Sequence, residues 1–124
     1  MRDFKTLIVW KAAHQLTLDV YRACASFPKN EAYGLVSQMR RASVSIASNI
    51  AEGCGRHSNL EMARFLSIAA GSASELQYQI LLARDLGMLD QVSSVDLEQN
   101  VIEVRKMASS LMTRLKTKKL ISGS

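Results

Sequence analysis

The sequence predicts an all-α protein, an antiparallel up-and-down four-helix bundle. Three observations carry this. Alanine and leucine are frequent, aromatics make up 6% of the chain, and there is one proline in 124 residues, a composition that favours helices over sheets. Apolar residues recur at steps of three and four through four segments. Between those segments lie short stretches rich in proline, glycine, serine and asparagine that stop or cap helices.

Each element follows in order. Residues 1–6 are a short polar lead with one anchor, Phe4. A first helix is predicted over about 7–25, with Trp10, Ala13, Thr17, Val20, Tyr21 and Cys24 on its apolar face and Lys11, Gln15, Asp19 and Arg22 on its wet side. Pro28 ends it, because proline lacks an amide donor and disfavours helix at the residue before it. A second helix is expected over about 31–53, with Asn30 as N-cap and Glu31 in the first turn. Gly53 and Gly55 are expected to end it through left-handed or flexible positions. The capping box Ser58-Asn59-Leu60-Glu61 opens a third helix over about 58–87, with Gly87 as a left-handed cap. A fourth runs over about 94–118, capped by Ser93 or Ser94.

The third and fourth helices carry heptad seams. Met62, Leu66, Ala69, Ala73, Leu76, Ile80, Ala83 and Gly87 step by four and three, as do Leu97, Val101, Val104, Ala108, Leu111 and Leu115. A 3.5-residue period favours shallow crossings of about 20°. The small residues 69–74 are expected to admit a close neighbour. The length suits one domain over 1–124, and no apolar run approaches the roughly 20 residues of a membrane span. No signal-peptide core is present, so the expected location is cytoplasmic. Cys24 and Cys54 are read as reduced thiols acting as small apolar side chains.

Two stretches are candidates for function. In the second helix Arg41, Ser45, Asn49, Glu52 and Arg56 lie along one face, apart from the apolar face of Met39, Ala42, Ile46, Ile50 and Gly53. This polar stripe either binds a ligand or nucleic acid, or pairs with Glu75, Gln79 and Glu61 of the third helix or with a neighbouring subunit. The pairing reading is preferred, since arginine suits bidentate contacts at an interface. The second stretch is the C-terminal end. All eleven acidic residues lie at or before Glu103, whereas Arg105, Lys106, Arg114, Lys116, Lys118 and Lys119 carry six positive charges without a negative one. Such a run attracts phosphate backbones without reading bases, although it also complements a helix dipole.

Catalysis is not expected. Glu52 and Glu75 are a conceivable carboxylate pair and His57 a conceivable base, but no nucleophile with a base partner is evident. Gly53-Cys54-Gly55 is a helix ending rather than a phosphate loop. His14 and His57 lack the glutamate three residues earlier that a di-metal bundle uses, so neither a metal nor a cofactor is expected. His14 is read as a hydrogen-bonded, semi-buried residue. Leu18, Val36 and Val44 are the places to look for excess apolar surface that recruits another protein.

The motifs Trp10-Lys11-Ala12, Phe27-Pro28, Glu31-Ala32-Tyr33-Gly34-Leu35, Gln38-Met39-Arg40-Arg41-Ala42, Ser45-Ile46, Asn49-Ile50-Ala51-Glu52-Gly53, Arg56 and Gly71-Ser72-Ala73-Ser74-Glu75-Leu76 occur in that order. In these the chain, over about residues 4–115, resembles the bacterial four-helix-bundle family encoded in intervening sequences of 23S ribosomal RNA genes. It is also similar to the accessory variability protein of diversity-generating retroelements, a pentamer that binds nucleic acid and a reverse transcriptase. The resemblance implies a homo-oligomer, a ring of five subunits, and supplies no catalytic residues. The functional expectation is a non-enzymatic, self-assembling protein that binds RNA or DNA with low specificity as a ribonucleoprotein accessory factor. The alternative is a scaffold that recruits another protein without touching nucleic acid.

Overall fold

The structure is a computed structural model that describes residues 2–31 and 33–122, with the backbone alone described over 118–122. Four helices build it: α1 (Ile8–Cys24), α2 (Leu35–Cys54), α3 (Asn59–Asp85) and α4 (Gln91–Ser122), with single 3-10 turns at Phe4–Thr6 and Lys29–Glu31. Helix α1 packs on α2 and α4, and α3 packs on α2 and α4. The chain is an all-α up-and-down bundle, in which each helix neighbours the one before it and α4 closes back on α1.

The core is where the periodicity places it. Leu16, Met39, Ile46, Ile50, Met62, Leu66, Leu76 and Ile80 are fully buried, each stabilising the fold by about 1.5–3 kcal/mol relative to exposure. Both heptad seams face inward up to Ala83 on α3 and through Leu115 on α4, where Leu111 is half-buried. Val36 is 5% exposed and belongs to this core rather than to any recruiting surface.

The helix ends depart from expectation in instructive ways. Helix α2 begins at Leu35, not at residue 31, because Pro28 leads into a 3-10 turn in which the Glu31 amide bonds to Pro28 O (3.0 Å). Asn30 therefore caps nothing. Glu31 caps from outside the helix, its Oε2 accepting from the Leu35 amide (3.1 Å). Helix α4 begins at Gln91 because Asp90 is its cap, accepting from the Ser93 amide (2.7 Å) and hydroxyl (3.1 Å). Ser58 caps α3 as its sequence predicts, accepting from the Glu61 amide (3.1 Å).

At the end of α3, Gly87 is left-handed (φ 76°). Its amide bonds to Arg84 O (3.0 Å) and that of Met88 to Ala83 O (2.8 Å), the paired bonds of a Schellman motif. Gly53 and Gly55 play no such part. Gly55 caps α2 in a right-handed conformation, and Gly53 is needed for packing. A Cβ there would lie 3.1 Å from Phe65 Cβ and 3.3 Å from Met62 O. The expected close approach at residues 69–74 holds for buried Ala69 and Ala73, but nothing lies within 4 Å of a Cβ on Gly71.

Candidate nucleic-acid interface

The polar stripe of α2 folds onto α3 of its own chain. Arg41 Nη2 donates to Glu75 Oε2 (2.9 Å) and to Gln38 Oε1 (2.9 Å). One turn on, the Ser45 and Ser72 hydroxyls share a hydrogen bond (2.8 Å). Asn49 Nδ2 turns back to Ser45 O (2.8 Å), and Glu52 pairs with Arg56 one turn away. Glu52 and Glu75 thus sit in separate ion pairs and do not form a carboxylate pair. Neither Gln79 nor Glu61 partners the stripe. Gln79 is 6% exposed with its Oε1 unpaired, and Glu61 is in none of the ion pairs among the described residues.

The C-terminal cations do not share one face. Arg105 is half-buried with an unpartnered Nε, while Lys106, Arg114 and Lys116 are exposed. Arg114 turns toward α1, lining a groove of about 440 Å³ with Leu7, Ile8, Met107 and Leu111. The side chains of Lys118 and Lys119 lie outside the described residues.

The fold instead gathers cations at one end of the bundle. The N-terminal segment is fastened there by the Arg2 amide, which donates to Cys54 O (3.0 Å). The Arg2 guanidinium reaches the Met62 sulfur and Asn59 Oδ1 (3.4 Å). Asp3 caps the turn carrying exposed Lys5 (3.0 Å to its amide). Beside them, two guanidiniums sit over one ring, Arg56 at 4.7 Å and Arg64 at 4.8 Å from the Phe65 centroid. The quadrupole of the ring holds each cation in place, so one side chain anchors both. Glu52 neutralises Arg56, but Arg64 has no ion pair among the described residues.

The Ser45–Ser72 pair, the Thr17 hydroxyl on Ser43 O (3.1 Å) and the crevice that Leu16 and Val104 share mark the middle of the bundle. On the N-terminal side of that level, residues 2–15, 46–72 and 105–117 hold nine basic and three acidic residues. The opposite half, over residues 16–31, 33–45 and 73–104, holds five basic and eight acidic ones. A groove of about 600 Å³ there, between α1 and α4, is lined by Asp19, Arg22, Ser93, Asp96 and Asn100. The molecule has a basic pole and an acidic pole. Arg2, Lys5, Lys11 and Arg64 are isolated in sequence and form no visible cluster there. Only the distance from one helix terminus to the next brings them together.

Burial raises the Cys24 and Cys54 thiols above their ordinary range, against the smaller opposing influence of Arg40 and Arg2 respectively. Both are free. His14 is exposed and stacked on Trp10 (5.0 Å, 6° between planes) rather than hydrogen-bonded in the interior. Among the described residues no three of His, Cys, Asp or Glu gather to hold a metal, and no helix is long and apolar enough to cross a membrane.

Fold and charge define the class: an all-α, up-and-down four-helix bundle with a cationic end. Residues 5–110 match the family model described as 23S rRNA-intervening sequence protein, and the chain belongs to that family. A solved structure from Bacteroides thetaiotaomicron VPI-5482, a protein of unknown function from the S23 ribosomal protein family, shares the fold. It superposes with a TM-score of 0.77 at 18% identity, covering 85% of this chain and 98% of that one. No curated protein matches the chain.

Proposed function

We propose that the protein is a cytoplasmic, self-associating, non-catalytic binder of nucleic-acid backbones, and that its basic pole is the contact surface. The observation that carries this is the charge separation along the bundle, nine basic to three acidic residues at one end against five to eight at the other. Crowding like charges destabilises a fold unless a counter-charge arrives. Arg56 and Arg64 share the Phe65 ring, and Arg64 is unneutralised among the described residues. A phosphate backbone supplies the counter-charge and releases its own condensed cations. Nothing described at the pole offers a rigid array for reading base edges, so the binding is sequence-tolerant and salt-sensitive. Assembly into a ring of copies, five in this reading, sets several such poles side by side and multiplies the field.

The test is a titration of structured RNA and of duplex DNA at two salt concentrations, followed by anisotropy. Arg64→Glu and Arg114→Glu weaken binding and flatten its salt dependence, each lowering the slope by about one for every phosphate that goes unneutralised. Arg84→Glu, at the acidic pole, leaves binding unchanged. Equal binding by all three variants and the parent overturns the assignment to the pole. Light scattering after gel filtration tests assembly, and a monomer at micromolar concentration removes the ring.

A further inference from the structure

We infer that the outer groove between α1 and α2 accepts an unpaired nucleobase, so that the protein takes single-stranded or looped nucleic acid rather than duplex. This rests on the proposed backbone binding and names its substrate class. Trp10 and His14 stack in parallel (5.0 Å, 6°), and Phe4 meets Trp10 edge-on (4.8 Å, 61°). His14 is exposed, which leaves the end of the stack open. The stack borders a groove of about 340 Å³ that is also lined by Val44, 40% exposed, and by the small residues Ala47 and Ala51. An open groove beside an exposed aromatic side chain admits a planar ring.

Continuity with the pole identifies the occupant. Ser48 and Ala51 line this groove and also line the adjoining depression with Glu52 and Arg56. Lys5 follows Phe4 in the N-terminal turn. A base in the slot therefore has Lys5 near it for its phosphates, and Arg56 as well if a phosphate displaces Glu52 from it. In a duplex both faces of a base are already stacked, so only an unpaired base continues the stack. Apart from His14 itself, the groove presents only the hydroxyls of Thr17 and Ser48. The Thr17 hydroxyl is committed to Ala13 O and Ser43 O. Recognition is thus by the π-face and tolerates any base.

Trp10 is the sole tryptophan, so its fluorescence reports the slot directly. The intact chain is titrated with an oligouridylate and with an RNA duplex of equal length, and anisotropy is read alongside Trp10 emission. The expected result is quenching that saturates together with single-strand binding, and duplex binding without quenching. His14→Ala, at an exposed position, and Ala47→Leu, which fills the slot, each reduce single-strand affinity about tenfold and leave duplex affinity unchanged. Circular dichroism confirms that both variants fold. Binding of the single strand without quenching, or equal reductions for both ligands, overturns the slot and leaves the pole standing. No binding of either ligand overturns both. Trp10 emission that shifts on dilution without nucleic acid, and no longer does so in Ala47→Leu, assigns the groove to a second copy of the chain and overturns the inference.

Discussion

Gly53 on α2 and Phe65 on α3 lie so close that a Cβ on the glycine would stand 3.1 Å from Phe65 Cβ. The same point would be 3.3 Å from Met62 O, a backbone atom that a helix does not readily yield. This approach seats Phe65, and Phe65 in turn carries Arg56 and Arg64. The packing of two helices at one glycine thus sets where the cations of the pole stand.

A pair of glycine substitutions follows. Gly53→Ala is expected to destabilise: overpacking costs about 1–3 kcal/mol, only partly offset by about 1 kcal/mol of helix propensity. Gly71→Ala, in the middle of α3 with open space around its Cβ, is expected to stabilise by about 0.5–1 kcal/mol. Urea unfolding of the two variants gives the comparison. A Gly53→Ala protein more stable than Gly71→Ala contradicts the packing described.

The Arg41–Glu75 ion pair is short, but its side chains are 57% and 42% exposed. Solvent screening limits such a pair to about 0.2–1 kcal/mol. A double-mutant cycle with Arg41→Ala and Glu75→Ala should return a coupling of that size, shrinking at about 1 M salt. Strictly additive effects in low salt mean that the two do not interact in solution.

Asp90 provides a pH-dependent cap. Hydrogen bonds from the Ser93 amide and hydroxyl hold its carboxyl below the usual carboxylate range. A group whose pKa is lowered by folding stabilises the protein above its unfolded pKa, and that contribution fades as pH falls through the folded one. Asp90→Ala should therefore lower the melting temperature at pH 7, and the difference from the parent should narrow as the pH is taken below about 4. A gap that is constant across this range would remove the ionised cap as a source of stability.

The two cysteines are buried, at 4% exposure for Cys24 and 1% for Cys54, and burial holds both thiols neutral. The thiolate is the reactive form. In the native protein neither should react with a disulfide reagent at neutral pH on the time scale of a free thiol, and both should react on unfolding in urea. Rapid native reaction at either site would show that its helix end opens.

What the linear chain determined by itself is the bundle. Heptad steps in α3 and α4 have one solution, because apolar residues 3.5 apart must face a common partner. Ser58 and Gly87 likewise act through their nearest neighbours, so their capping roles were legible. Where an end depends on a competing turn it was not. Asn30 lost α2 to Glu31 because Pro28 set a 3-10 turn first, and Ser93 yielded the cap of α4 to Asp90. Gly53 looked like a terminator because sequence cannot distinguish a glycine needed for its φ from one needed for its missing Cβ. The stripe on α2 was visible as a face with Glu75 among its expected partners, but the register of α3 put Ser72 beside it in place of Gln79 and Glu61. Part of the basic pole was legible as the run Arg105, Lys106, Arg114 and Lys116, and tertiary structure added the rest. Arg2, Lys5, Arg56, Arg64 and Arg114 stand on separate segments, and only antiparallel packing brings the starts of α1 and α3 to the ends of α2 and α4. Charge in a sequence is a list, whereas a field depends on distance, and the fold supplies the distances.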